Sequence, residues 1–243
     1  MTTALRPGKL AMPTDSPAVA EDTVWADTAD QLIGGIAHSL GSRCTVVRVA
    51  ADAQVYDAAA GRELLAAESA QLEGLVRALR LLQRRWRAEP EGVAAGAALR
   101  AAVELHRLHA TLGTVRVAAD VADGVPAVLA VPTLLTHALL LLLTAAKRSA
   151  LGASAEGVRV RCSGDADWVR VVVEPVSLSV AAGEVAVVRA WAERMGGALD
   201  APEPPQSPEV SETRAAAAHP SGCTLRVPTL AAARRPARAH ANG

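Results

Sequence analysis

The chain has 243 residues and is 51% hydrophobic, which is enough to bury the core of one large domain or two small ones. Aromatic residues make up only 2% and phenylalanine is absent, so leucine, valine and alanine must fill that core. The formal net charge is +0, which argues against nonspecific binding to nucleic acid or to an anionic membrane surface.

The cysteines and the apolar runs indicate a cytoplasmic protein. Cys44, Cys162 and Cys223 lie far apart, so they match neither a metal site nor a disulfide framework. A reducing compartment is the simplest setting for them. The N-terminus lacks the apolar run of a signal peptide. The longest apolar stretch, residues 138–146, is too short to cross a bilayer.

The first predicted element is a long amphipathic helix. Residues 1–21 hold three helix-breaking prolines (Pro7, Pro13 and Pro17) and are predicted to form a disordered leader. Asp22 or Thr23 can cap the helix that runs from residue 24 to about 49. Its apolar residues share one side: Leu32, Ile33, Ile36, Leu40 and Val47.

One histidine stands in the apolar, small-residue stretch "LIGGIAHSLGSRCTVV". His38 follows Ile36 by two residues, which places it about 200° round the helix from that apolar residue. We therefore expect His38 to face solvent or a groove.

A second amphipathic helix is predicted from about residue 62 to 87, after a turn at residues 53–61. Its leucines recur at the spacing of a helical bundle and are interrupted once, at Glu68: Leu65, Leu72, Leu75, Leu79 and Leu82. Residues 22–88 thus read as an antiparallel hairpin. One apolar face is left over, so we expect two copies to form a four-helix bundle in a homodimer.

The remainder, residues 89–230, reads as a mixed α/β unit after a linker at 88–92 in which Pro90 stops the helix. A flexible, proline-rich loop is predicted at 201–222, and a basic disordered tail at 231–243. The elements predicted in order are a helix at 97–109, a strand at 114–124, a buried helix at 131–150, strands at 157–164 and 167–175, a helix at 183–197 and a strand at 223–230.

This order, together with the local sequences, resembles bacterial sensor histidine kinases over roughly residues 24–230. The segment around His38 is similar to the helix that carries the phosphorylated histidine, and "LEGLVRALRLLQRRW" to the second helix of that hairpin. "LLTHALLLLLTAAKRS" resembles the helix of the asparagine-rich nucleotide box, "VAVVRAWAERMGGAL" the helix after the glycine-rich lid, and "GCTLRVPTL" the terminal strand. The resemblance implies an α+β fold: a dimerising hairpin followed by an α/β sandwich like the kinase ATP-binding domain.

The chain departs from that family at the nucleotide site. Thr144 and Leu140 stand where the family has asparagines, the first of which holds magnesium, and Glu174 and Val176 stand where an Asp and a Gly bind adenine. The lid region before Val185 keeps only Gly183, followed by Glu184, and a phosphate cradle depends on glycines. We therefore expect no ATP binding, no cofactor and no metal ion.

The chain also departs from the family beside His38. Ser39 stands where the family has an acidic general base, and a hydroxyl cannot act as a base near neutral pH. Arg43 replaces a proline that usually bends the helix. Arg43 could attract a phosphoryl group or be a solvated charge, and Ser39 could position a water molecule.

Two functions remain open from the sequence. In the first, His38 relays phosphoryl groups to or from response-regulator receiver domains, because a neutral imidazole is a competent nucleophile without a metal of its own. In the second, the chain is a noncatalytic pseudokinase that dimerises, or pairs with a sensor histidine kinase, and acts as a scaffold. An ATP-dependent kinase is the least favoured.

The remaining candidate residues are assigned structural roles. His106 and His109 have a spacing that can suit a metal but lack a third ligand, so a surface pair is favoured. His137 is predicted to be a satisfied core or boundary residue, and Trp191 and Met195 to pack in the core. Glu174 is predicted to be a surface acid.

Overall fold

The computed structural model describes residues 17–53, 58–83, 89–201 and 222–235. The leader before residue 17, the centre of the turn at 53–61 and the start of the linker lie outside the described residues. So do residues 202–221 of the predicted flexible loop and residues 236–243 of the predicted tail.

The chain begins with the helical hairpin that the sequence predicts. Helix α1 spans Pro17–Ala53 and helix α2 spans Ala58–Leu81. α1 starts five residues before the predicted cap at Asp22, because Pro17 stands at its first position. A proline is tolerated there, since its fixed φ suits a helix and the missing N–H would be unpaired anyway.

The buried positions of both helices alternate at spacings of three and four, which is the pattern of helices packed side by side. In α1 the buried or half-buried positions of this series are Trp25, Ala29, Leu32, Ile36, Ser39, Arg43, Val46 and Ala50. In the second helix and the residue that follows it they are Gly61, Leu65, Glu68, Leu72, Leu75, Leu79 and Leu82. We call these two series the hairpin seam.

The rest of the chain forms an α/β unit, here called the body. Its elements are β1 (Glu91–Ala94), α3 (Ala95–His106), β2 (Val117–Val121), β3 (Ala127–Ala130), α4 (Pro132–Gly152), β4 (Val158–Gly164), β5 (Trp168–Glu174), α5 (Leu178–Arg194), β6 (Ala198–Asp200), β7 (Cys223–Pro228) and α6 (Leu230–Ala233). The predicted fold class, a hairpin followed by an α/β unit, is confirmed.

A mixed five-stranded sheet forms one layer of the body, in the order β2-β4-β5-β7-β6. β2 and β4 run parallel and the other pairs antiparallel. Along β4, Val158, Val160 and Cys162 are buried while Arg159 and Arg161 are exposed, so one face packs on the helices and the other meets solvent. β1 and β3 form a separate two-stranded sheet.

Three short strands were not predicted. β1, β3 and β6 have four, four and three residues, too few for a period of two to stand out. β1 begins at Glu91, inside the stretch read as linker. The predicted basic tail also begins with structure, because α6 ends at Ala233 and Arg235 bonds to Asp167 over 2.7 Å.

Helix α4 forms the centre of the body. It is the single described helix long and apolar enough to span a membrane by length and composition, yet 89% of its most apolar window is buried inside the fold. Burial on all sides explains why it is apolar all round. Trp25, Leu32 and Ile36 of α1 belong to the same hydrophobic core as α4, so the hairpin is packed onto the body.

Candidate functional site

His38 lies on the exposed side of α1, the side that the apolar periodicity indicates. Four neighbours on the same helix face are small and exposed, namely Gly34, Gly41, Ser42 and Thr45, whereas Gln31 and Gly35 on its N-terminal side are half-buried. A Cβ atom added at Gly34 or Gly41 would meet no atom within 4 Å. The imidazole therefore stands above a low surface that a partner can approach closely.

The polar groups around His38 are few. The Ser42 hydroxyl donates to the His38 backbone carbonyl oxygen over 3.2 Å, so this bond does not involve the imidazole ring. Ser39 is half-buried in the hairpin seam rather than beside the exposed ring. The stretch from Gln31 to Val47 contains no carboxylate, so α1 supplies no general base near His38.

Arg43, for which the sequence left two roles open, forms an ion pair within the hairpin. Its guanidinium donates to the Glu68 carboxylate over 2.9 and 3.3 Å. The Glu68 side chain is 7% exposed, so this pair lies within the hairpin seam and connects α1 to α2. Glu68, which interrupts the leucine pattern, is therefore the partner of the arginine that replaces the expected proline.

In the body, the two positions expected to hold asparagines are closed. Leu140 and Thr144 are fully buried. The Thr144 hydroxyl donates to the Leu140 carbonyl oxygen, and its oxygen lies 3.0 Å from Nε2 of His106. Since the hydroxyl has one proton, Nε2 of His106 must be the donor of that second bond.

The prediction that His106 and His109 form a surface pair is wrong. Both are buried, and their rings stack with centroids 4.9 Å apart. α3 ends at His106 and the chain turns beneath α4, which brings both rings inside. Nδ1 of His109 accepts the Leu112 N–H over 3.2 Å.

Burial also sets the charge of this cluster. Desolvation, assisted by the positive charge of Lys147, lowers the pKa of His106 to about 2 and that of His109 to about 4. Both rings are thus neutral near pH 7. Desolvation and then the charge of Arg107 lower the pKa of Lys147 to about 8. The Lys147 ammonium donates to the Leu112 carbonyl oxygen over 3.1 Å.

The first half of α1 lies across α4 and α5. Trp25 stacks on His137 with ring centroids 3.8 Å apart and lies edge-on to Trp191 at 6.1 Å. His137 bonds through Nε2 to the Leu81 carbonyl oxygen at the end of α2, over 2.8 Å. The predictions of a satisfied, buried His137 and of core packing by Trp191 and Met195 are confirmed.

Ion pairs close the same junction. Arg148 of α4 donates to Asp27 of α1 over 2.7 Å and to the buried Glu184 of α5 over 2.5 Å. Gly183 lies against the same helix, since a Cβ atom placed there would be 3.4 Å from Val24. Part of the region that the resemblance associates with a lid therefore lies beside α1.

The connection from β5 to α5 is three residues long, because β5 ends at Glu174 and α5 begins at Leu178. Val176 within it is 1% exposed. Glu174 is half-buried, and its carboxylate lies 3.6 Å from Arg161 and 3.9 Å from Arg159. The predicted surface acid is therefore engaged with two arginines of the outer sheet face.

Sequence reasoning missed the junction between α1 and the body. Asp27 and Arg148 are 121 residues apart, and neither belongs to a recognisable motif. One signal was available for the contact of α1 with the segment after α3. Gly35 is a helix-interior glycine, and a side chain there would overlap the Leu108 carbonyl group.

Known proteins resemble this chain only distantly. Neither a family model nor a curated protein sequence matches the chain. Among solved structures, full-length ShkA in complex with AMPPNP has 18% identity and a TM-score of 0.41, over 82% of this chain and 45% of that one. The Acinetobacter baumannii histidine kinase AdeS has 15% identity and a TM-score of 0.42, over 79% of this chain and 98% of AdeS.

The cytoplasmic segment of histidine kinase QseC has 17% identity and a TM-score of 0.39, over 63% of this chain and 91% of that one. The chain thus spans less than half of ShkA, at 45% of its length. These similarities concern the fold, and none of them assigns a role to a residue of this chain.

Proposed function

We propose that this chain is a two-component signalling protein that relays a phosphoryl group through His38, to or from response-regulator receiver domains, without ATP-dependent autophosphorylation. The observation that carries the proposal is the exposure of His38 on a helix face made of small residues. A receiver domain must bring its aspartyl phosphate in line with a ring nitrogen, with reacting atoms about 3 Å apart. That approach needs an open, low surface.

The transfer step needs only a nucleophile from this chain. An unprotonated ring nitrogen of His38 attacks phosphorus, forming an N–P bond as the P–O bond to the aspartyl carboxylate breaks. The electron pair of the broken bond leaves with the carboxylate, and the other ring N–H releases its proton to water. The receiver domain supplies the magnesium ion and the acidic pocket, so positioning is the main task of this chain.

The body is proposed not to use nucleotide. Leu140 and Thr144 face protein groups, the connection from β5 to α5 is only three residues long, and the first half of α1 packs on α4 and α5. We expect no saturable calorimetric binding of Mg-ATP at millimolar concentration and no rise in melting temperature with nucleotide. Either signal contradicts this part of the proposal.

Dimerisation through the hairpin is proposed as well. In α2, one column of the seam is buried (Gly61, Glu68 and Leu75), whereas Leu65, Leu72 and Leu79 of the other column stay half-buried, and Val76 beside them is 44% exposed. A second copy would cover this face. Replacing Leu72 and Leu79 with Glu should give monomer or aggregate, because a charge there would lack a partner in the dimer. A monomeric wild type in light scattering at micromolar concentration contradicts the dimer.

We place the protein in the cytoplasm, with receiver domains and a second copy of the chain as partners and a sensor histidine kinase as a further partner. The alternative function is a noncatalytic dimeric scaffold. The Arg43–Glu68 pair favours it, because the Arg43 guanidinium is already engaged by a buried carboxylate.

The deciding experiment is phosphoryl transfer from labelled receiver domains. Each receiver domain of the source genome is charged with a labelled small acyl phosphate and mixed with wild type or His38→Gln. We expect acid-labile label on the wild type and none on the variant. The variant should keep its stability within about 0.5 kcal/mol, since the change is at an exposed position. An unlabelled wild type supports the scaffold, and a labelled variant excludes His38 as the nucleophile.

A further inference from the structure

The segment between α3 and β2 crosses α1 close to His38. The Ala110 N–H donates to the Gln31 carbonyl oxygen of α1 over 3.2 Å. The Leu108 carbonyl group lies against Gly35 so closely that a Cβ atom there would overlap it. Body and hairpin therefore touch backbone to backbone at this point.

The crossing lies on the face of α1 that carries His38. Gly35 precedes His38 by three residues, about 4.5 Å along the axis, and residues at this spacing are neighbours on a helix surface. Gln31 precedes His38 by seven residues, which is within about 20° of two full turns. A domain that reaches His38 from solvent therefore meets the crossing segment at the N-terminal side of the ring.

The charges on α1 around His38 and on the segment that crosses it favour an acidic partner. Residues 31–47 of α1 and residues 105–117 of the body contain no carboxylate, whereas the second segment contains Arg107 and Arg116. Arg107 is exposed, and its pair with Glu104 joins two side chains that are each 64% exposed. Such a pair contributes little stability in water, so Arg107 can exchange it for another carboxylate.

We infer that the segment from Arg107 to Thr111, where it crosses α1 one turn before His38, forms the second wall of the surface on which the phosphoryl-carrying domain docks. The inference rests on the proposed function. The occupant is a receiver domain whose acidic side meets Arg107 while its phosphoryl group meets His38. The body thus takes part in partner recognition without taking part in the chemistry.

The wall is held in place before the partner arrives. Lys147 and His109 both bond to Leu112, and the Gly113 N–H donates to the His109 carbonyl oxygen over 2.9 Å. The Lys147 bond anchors the segment to α4 and the other two bonds hold its turn, while Ala110 and Thr111 stay exposed. A surface ordered in advance lowers the entropy cost of docking.

The test compares this wall with the outer sheet face. Arg107→Glu changes the charge of the wall and Ala110→Trp adds bulk to it. Arg159→Glu and Ser163→Trp make the same changes at exposed positions of β4. Each full-length variant is mixed with a receiver domain that labels the wild type, and the initial rate of labelling is measured at two salt concentrations. Melting curves check that every variant is folded.

We expect Arg107→Glu and Ala110→Trp to slow labelling by about tenfold or more, and the two β4 variants to stay within about twofold of wild type. Arg107→Glu should also flatten the salt dependence of the rate, because a docking charge is lost. Wild-type rates in both folded wall variants overturn the inference and leave the proposed function intact. A wild type that no receiver domain labels overturns the proposed function and the inference with it.

Discussion

His38 and the His106–His109 pair place the same side chain in two opposite environments. His38 is exposed on α1, and its face of the helix is lined by small residues. The pair is buried beneath α4, with stacked rings and pKa values lowered to about 2 and about 4. The comparison shows that burial decides which histidine can be a nucleophile for a partner and which ones hold the body together.

The largest expected effect concerns the contact between α1 of the hairpin and the body. Trp25→Ala removes a ring that is 2% exposed and stacked on His137. We expect a loss of about 3–5 kcal/mol in the free energy of unfolding, as for other buried aromatic truncations. Urea denaturation at one protein concentration measures it. Val49→Ala, at a position that is 56% exposed, is the matched control, and similar losses in both variants contradict the docking of α1.

Acid should destabilise the fold through the buried histidine pair. The pKa values of His106 and His109 are lowered in the folded state from the ordinary histidine value of 6.5. Below pH 6.5 the unfolded chain therefore binds more protons than the folded one. Stability is therefore fully present above pH 6.5 and falls as the pH drops toward about 4 and below. From pH 7.5 to 5.5 we expect a loss of about 2–3 kcal/mol, since each of the two histidines contributes about 1.4 kcal/mol over the one pH unit that lies below 6.5.

Urea denaturation at several pH values tests this dependence. Because His109 is not needed to bond Thr144, His109→Gln should reduce the pH dependence by about half. A wild type equally stable at pH 7.5 and 5.5 contradicts the neutral, buried pair.

A smaller effect is expected inside the hairpin, where a charged pair occupies the seam beyond His38. Arg43→Leu leaves the buried Glu68 carboxylate without its partner. We expect a loss of about 2 kcal/mol, below the value for fully buried pairs because the Arg43 side chain is 40% exposed. The double variant Arg43→Leu, Glu68→Leu should recover most of that loss in a double-mutant cycle. Additive losses mean that the two side chains do not interact.

Two adjacent glycines of α1 should respond differently to the same substitution, and one of them gives the smallest expected effect. Gly35→Ala should destabilise by about 1–3 kcal/mol, because its methyl group would overlap the Leu108 backbone. Gly34→Ala should stabilise by up to about 1 kcal/mol, because open space surrounds that position and alanine is the better helix former. Thermal melts of the two variants measure the difference, and equal shifts contradict the crossing at Gly35.

Much of the fold could be predicted from hydrophobic periodicity and from the prolines and glycines at the ends of elements. The alternation in "GVRVRCSG" and "DWVRVVVEP" predicts β4 and β5, and α4 follows from an apolar run that begins at Pro132. Gly196, with φ +70°, stands where α5 was predicted to stop. Such signals are local, so a single segment is enough to detect them.

The contacts that the sequence did not predict are long-range. The sequence around Asp27 does not indicate that its partner is Arg148. The sequence "ELHRLH" likewise does not distinguish an exposed histidine pair from one buried beneath α4. Two histidines one helical turn apart look alike in sequence whether solvent or protein lies beyond them. Glu68 is a similar case, because an acid that interrupts a leucine pattern can be explained only once Arg43 is known to lie opposite it.

The continuity of α1 ties the position of His38 to the body. The helix runs unbroken for 37 residues, and Trp25, Leu32 and Ile36 of its first half lie in the core shared with the body. Gly35 rests on the Leu108 carbonyl group, three residues and about 4.5 Å before His38. A shift of the segment after α3 would therefore reach the imidazole through a single turn of helix.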